Sequence, residues 1–261
     1  LVKKVNGTAT FNQVGNVLTI ANSNGAILEW ARFGIPAGEM VKFDQAASSS
    51  VLNRVLAGGG LSAIYGTLQS NGRVWLVNPA GILVGPGGTI DTASFIASTL
   101  AIRNEDFLAG KLTFSGPGGN VTNQGVITTP TGGSVYLIGA NVSNEGVITT
   151  PKGETLLAAG QTVNLVDTST PGVKIEITGA AGNATNLGSG REGPGSGCHE
   201  EITAETPSLN GYTHGEASKS VHAEALPGPS RQDSCAANVP SSPSLRQRKS
   251  RRRASSAMWP M

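Results

Sequence analysis

The 261 residues include 36 glycines, with 5% aromatic residues, 14% charged residues and a net charge of +2. Soluble domains usually carry about 25% charged residues, so this composition argues against a helical enzyme and for a β-solenoid or sandwich. Residues 1–190 hold 10 Lys/Arg, 10 Asp/Glu, no cysteine and no histidine. That removes most nucleophile–base pairs and zinc sites from the body of the chain.

In chain order, Gly7–Phe11 alternates, Val14-Gly15-Asn16 turns and Val17–Ile20 returns, which predicts a hairpin over residues 5–20. Asn22–Gly25 is a second turn, followed by a strand over Ala26–Ile35. In it Ile27, Glu29 and Ala31 face away from Leu28, Trp30 and Arg32. Met40–Phe43 is another strand, residues 46–56 read equally as a short helix or as a strand after a polar loop, and Gly58–Gly60 is a loop. Ser62–Leu68 and Arg73–Val77 read as strands about a turn at Ser70–Gly72. Asn78-Pro79-Ala80-Gly81 is a strong turn signal. Further strands follow over Ile82–Val84, Thr89–Asp91 and Phe95–Ile102, with one helical turn over Arg103–Gly110 and a strand at Lys111–Phe114. No signal peptide is visible, and no run approaches the roughly 18 apolar residues of a membrane-spanning helix.

From Asn120 the chain repeats itself. Aligning 120–140 with 141–161 gives 11 identities in 21 positions, centred on Gly-Val-Ile-Thr-Thr at 125–129 and 146–150. A period near 20 with β-branched runs and Gly/Asn corners is what a solenoid requires, each repeat forming one rung on the last. Asn and Gly tolerate the corner's backbone, and Pro130 and Pro151 end the strands. Thr162–Val166 with Val173–Ile177 reads as a third, decayed rung. A repeat near 21 predicts roughly nine rungs over residues 1–180, some 40 Å long. Asn123, Asn144 and Asn164 recur near the repeat interval, which suggests an internal asparagine ladder.

After Ser189 the periodicity stops. Residues 190–261 read as a disordered low-complexity tail, with half of the 14 prolines falling after residue 190. A natural tail and a frameshifted reading of the gene both account for the change. Cys198, His199, His214, His222 and Cys235 match no metal-site spacing, so neither a metal nor a cofactor is expected. The basic run Arg246–Arg253 would suit an anionic partner in a folded domain, but no nucleic acid is expected here. Trp30, Trp75 and Tyr65 raise the possibility of a carbohydrate-stacking surface, with packing against rungs the favoured reading. Gly85–Gly88 lacks the Lys-Ser/Thr of a phosphate loop and reads as a turn. The body's carboxylates are scattered, and neither Glu145 nor Glu154 has an acidic counterpart one repeat away. Catalysis is therefore not expected.

Asn53-Arg54-Val55, Ile64-Tyr65-Gly66, Asn71-Gly72, Val74–Ile82 and Ala97–Leu100 occur in this order at close spacing. This set resembles the haemagglutination-activity, or two-partner secretion, domain that opens filamentous-haemagglutinin-like exoproteins. The likeness extends to Ile27–Ile35, with its Trp30, and covers roughly residues 5–185. The family's Asn-Pro-Asn-Gly-Ile hallmark is matched by Asn78, Pro79, Gly81 and Ile82, with Ala80 in place of the central Asn. An Asn-Pro-Asn-Leu element is missing, which points to the branch of high-molecular-weight adhesins. Members carry a signal peptide and a first strand ahead of a Leu1-like position, and neither is expected within this sequence.

The resemblance implies an all-β fold: a right-handed parallel β-helix with an N-terminal cap and small extra-helical hairpins, spanning residues 1–189. It implies recognition in the periplasm by a cognate outer-membrane transporter, and export to the cell surface or medium of a Gram-negative bacterium. The chain would nucleate the folding of a long adhesin whose receptor-binding parts lie elsewhere. Asn78, Pro79, Gly81 and Ile82 would form the recognition or cap motif. A polysaccharide-acting β-helix enzyme and a generic passenger solenoid stand as alternatives.

Overall fold

The computed structural model describes residues 1–167, 173–179, 182–190 and 199–203. The chain divides into two units, Leu1–Leu226 and Pro227–Met261, and everything described belongs to the first. That unit is a parallel β-helix of about six turns.

Two added strands open it. β1 (Lys3–Asn6) and β2 (Ala9–Val14) lie antiparallel against β4 (Ala26–Trp30) and β3 (Val17–Asn22), respectively. β3 and β4 make the first turn of the helix. β5 (Met40–Asp44), β6 (Ser50–Val55) and β7 (Ser62–Ile64) make the second. The third is β8 (Thr67–Val77) and β9 (Ile82–Val84). The fourth starts with β10 (Thr89–Ser98), leaves the helix through α1 (Asn104–Leu108) and β11 (Leu112–Ser115), and closes with β12 (Asn120–Asn123). β13 (Val126–Thr128), β14 (Val135–Gly139) and β15 (Asn141–Asn144) form the fifth. The sixth runs through β16 (Val147–Thr149) and β17 (Thr155–Ala159), departs as β18 (Thr162–Asp167) and β19 (Val173–Thr178), and returns as β20 (Ala184–Asn186). β21 (Ser189–Gly190) and β22 (His199–Thr203) stack on β16 and β17.

Register explains the interior. On one face Leu28 pairs with Asn53, Asn53 with Leu76, Leu76 with Ala97, Ala97 with Leu137 and Leu137 with Leu157. Successive side chains of a strand point to opposite faces, so this column and its neighbour Val51–Val74–Phe95–Val135 all point inward. With Ile64, Ile82, Val121 and Val142 of the five-stranded sheet they form one continuous core.

A second core lies outside the helix. The outward column Ile27–Leu52–Trp75–Ile96 is also buried. It is covered by Phe107 of α1, Phe114 of β11, Val163 and Leu165 of β18 and Ile177 of β19. β18 pairs antiparallel with both β11 and β19, so the excursions of turns four and six join in one three-stranded cover. Trp75 meets Phe107 edge-on at 5.0 Å between ring centroids and lies 6.2 Å from Phe114. The sequence signal for this layer is the unbroken apolar run Val74-Trp75-Leu76-Val77, which a strand carries when both faces are buried.

Several expectations are corrected. The helix has about six turns rather than nine, because two excursions consume chain without adding a rung. Paired residues Phe95 and Val135 are 40 positions apart, against 20 for Val135 and Thr155. Thr162–Val166 and Val173–Ile177 are the arms of a covering hairpin, not a third rung. Ser70–Gly72 does not reverse the chain. β8 runs straight through it, with a bulge opposite Ala93 that swings the strand from one face of the helix to the next. The strand begun at Ala26 ends at Trp30, and Ile35 makes only an isolated bridge to Ile64. In the open segment 46–56 the strand β6 (Ser50–Val55) follows a turn over residues 46–49. The expected hairpin, the helical turn α1 and the repeat strands β13 and β16 form as read. Gly190 and His199–Thr203 extend the ladder beyond residue 189. The ladder joins backbone groups, so it needs no side-chain period. The other tail features, namely Cys198, His214, His222, Cys235 and Arg246–Arg253, lie outside the described residues.

Candidate functional site

The Asn78–Ile82 corner joins β8 to β9 in the third turn. Asn78 is buried, and all of its polar groups are engaged. Its Nδ2 donates to the Gly60 carbonyl at 2.8 Å and to Ser62 Oγ at 2.9 Å. Its Oδ1 accepts from the Ala80 amide at 2.9 Å, and its carbonyl accepts from the Gly81 amide at 3.1 Å. The side chain therefore closes its own turn and ties it to the loop of the turn below. Gly81 has φ 124°, where a β-carbon would also press on Leu61. Ile82 is in the core. Of the motif, only Pro79 and the interposed Ala80 are exposed.

Trp30, Asn53 and Arg54 act together one face away. Asn53 is fully buried in a column otherwise made of Leu28, Leu76 and Ala97. A buried amide is costly unless paired. Here the Trp30 indole N–H donates to Asn53 Oδ1 at 3.0 Å, and Asn53 Nδ2 donates to the Trp75 carbonyl at 3.4 Å. Trp30 also packs edge-on to Phe11 and Phe33, which fastens the β2–β3 hairpin to the first turn. Arg54 reaches Glu29 at 3.6 Å and donates to the Ile102 carbonyl at 2.8 Å, joining the first turn to the segment after β10.

Gly66 sits at the corner before β8, where a β-carbon would overlap the carbonyls of Pro36 and Glu39. Asn71 and Gly72 form the bulge of β8. Gln45 is the residue that sequence reasoning missed. Its amide donates to Asn71 Oδ1 at 3.0 Å, and its Nε2 donates to Ser70 Oγ at 3.1 Å and to the Arg73 carbonyl at 3.2 Å. A β-carbon on Gly72 would fill the space Gln45 occupies. Nothing in a lone Gln after a strand signals this role.

The ten singled-out positions thus do not converge on one pocket. They lock the corners and faces of the first three turns to one another. Trp30 and Trp75 are buried, so a stacking surface built with the exposed Tyr65 does not exist. The inner asparagine ladder does exist, with a different third member. Asn123 Nδ2 donates to Asn144 Oδ1 at 2.7 Å, and Asn144 Nδ2 donates to Asn186 Oδ1 at 2.9 Å. Asn164 is in the covering hairpin instead. Glu29 pairs with Arg54, Glu105 and Asp106 share Arg103, Glu145 accepts from Gln124 and Glu154 accepts from Tyr136. Among the described residues, no three His, Cys, Asp or Glu side chains gather as metal ligands.

Residues 3–193 match the model of the TPS secretion domain. The chain belongs to the TPS secretion domain family. A crystal structure of the HMW1 secretion domain from Haemophilus influenzae superposes with a TM-score of 0.62 at 42% sequence identity, covering 66% of this chain and 47% of that one. Two curated relatives, both heme/hemopexin-binding proteins of Haemophilus influenzae, are 34% identical over 94 residues and 35% identical over 99. Those matches cover 36% and 37% of this chain but only 10% and 11% of the relatives. The TPS domain therefore corresponds to a small part of much longer proteins.

Proposed function

We propose that this TPS domain is the secretion-targeting and fold-nucleating element of a longer adhesin, recognised by the periplasmic domains of a cognate outer-membrane transporter. The observation that carries this reading is the family match over residues 3–193 of a chain whose first three turns are locked to one another. A solenoid folds by adding rungs to an existing edge, so a rigid first few turns supply the template for all that follow. Within the Asn78–Ile82 motif, Asn78, Gly81 and Ile82 hold the corner, and Pro79 with Ala80 presents it to the transporter. The chain's route is through the periplasm to the cell surface or medium of a Gram-negative bacterium. Binding to a host cell or other surface receptor belongs to the remainder of the exoprotein. The domain's activity is recognition and folding rather than catalysis.

Binding of the purified chain to the transporter's isolated periplasmic domains tests this, with Pro79→Ala and Asn78→Ala compared. Pro79→Ala is expected to weaken binding while leaving thermal stability unchanged. Asn78→Ala is expected to lower both. Wild-type affinity in Pro79→Ala would remove the exposed corner from the recognition surface. No binding by a folded wild-type chain would end the secretion reading.

A further inference from the structure

The covering sheet does not cover the whole of the outward face. Beside the buried column Leu52–Trp75–Ile96 runs a second outward column, Ser50, Arg73 and Ser94, in register on consecutive turns. Ser134 continues it, its amide donating to Ser94 Oγ at 3.1 Å. This column floors a groove of about 470 Å³ along the helix axis. Phe107 of α1, Gly110 of the turn that follows and Leu112 of β11 form one wall, and the turn Pro130–Gly133 forms the other. The volume falls in the range of small-molecule sites, about 300–1,000 Å³.

The lining selects a ligand class. Arg73 is the only charged residue of the groove, it is exposed, and among the described residues it has no ion pair. A lone guanidinium matches a planar carboxylate in a two-pronged contact. Ser50, Thr131 and Ser134 add hydroxyls to the lining, while Leu112 and the edges of Ile96 and Trp75 supply an apolar surface. A molecule with one carboxylate, several hydroxyls and a C–H face satisfies all three, and that is an acidic sugar. A phosphate ester brings more charge than one arginine balances, with no backbone amide cluster to help. We infer that the groove between the cover and the Pro130–Gly133 turn binds an acidic saccharide, with its carboxylate on Arg73.

The site is distinct from the Asn78–Ile82 corner, so its failure leaves the secretion reading intact. Titration calorimetry on the full chain would use N-acetylneuraminate as the host-glycan sugar and 3-deoxy-octulosonate as the sugar of the bacterial envelope. Methyl glucoside and inorganic phosphate serve as neutral and plain-anion controls. At least one acidic sugar should bind saturably with Kd at or below about 1 mM, and the preferred one identifies the source. Arg73→Gln should weaken binding at least tenfold with an unchanged melting temperature. Thr131→Trp, at the exposed lip, should block it, and Arg32→Gln, outside the groove, should not. The assignment is overturned if neither acidic sugar binds saturably, if Arg73→Gln binds as the wild type does, or if methyl glucoside or phosphate binds equally well.

Discussion

Replacing Asn144 by Ala tests whether the inner asparagine ladder contributes to the fold or merely decorates it. Asn144 is 2% exposed, accepts from Asn123 at 2.7 Å and donates to Asn186 at 2.9 Å. Truncation leaves the fully buried Asn123 Nδ2 without its acceptor, which costs about 1–3 kcal/mol. Loss of the bond to Asn186, an exposed residue, adds about 1 kcal/mol. The expected destabilisation is therefore roughly 2–4 kcal/mol, or a fall in melting temperature of about 4–16 °C for a domain of this size. Asn141 provides the control. It likewise bonds on both sides, donating to Asn120 at 2.9 Å and accepting from the Asn183 amide at 3.1 Å, but on the exposed outer surface, so Asn141→Ala should stay within about 0.5 kcal/mol. Urea unfolding followed by circular dichroism, with the two variants side by side, reads the difference. Equal effects would mean that burial is not what gives the ladder its weight, and the reasoning would fail.

Trp75→Ala should cost about 3–5 kcal/mol, because the indole is the centre of the outer core, whereas Tyr65→Ala at an exposed position should be near neutral in the same unfolding assay. Gly125→Ala places a β-carbon against the Gly88 carbonyl of the preceding turn and should destabilise by about 1–3 kcal/mol through overpacking. A variant that folds with wild-type stability would show that adjacent corners are looser than drawn. Replacing Thr162–Thr178 with a short Gly-Ser link should uncover the Trp75 strip, giving red-shifted tryptophan emission and dye binding while the far-ultraviolet spectrum stays β-rich. Unchanged emission would refute the role of β18 and β19 as a cover.

The solenoid was legible where the sequence repeats with few interruptions. The 21-residue offset of Val126 and Val147 is their structural register, because Gly and Asn corners, β-branched strands and closing prolines all agree there. What stayed hidden depends on contacts between distant turns. Alternation in Thr162–Val166 is the same for a rung and for an antiparallel cover, and only Phe114 and Trp75, far away in sequence, decide between them. The bulge at Asn71-Gly72 reads locally as a reversing turn, since the same residues serve both. The Asn78 corner was legible as a turn. That Asn78 reaches across to Gly60 and Ser62 is a long-range fact no local pattern carries.

The most direct test of the central claim is export. The chain, placed behind a signal peptide, would be produced in a Gram-negative host with and without a candidate cognate outer-membrane transporter. The account predicts folded protein in the medium only when the transporter is present, with Pro79→Ala retained in the periplasm although folded. Export that ignores the transporter, or a stable β-helix that never leaves the periplasm in its presence, would contradict it.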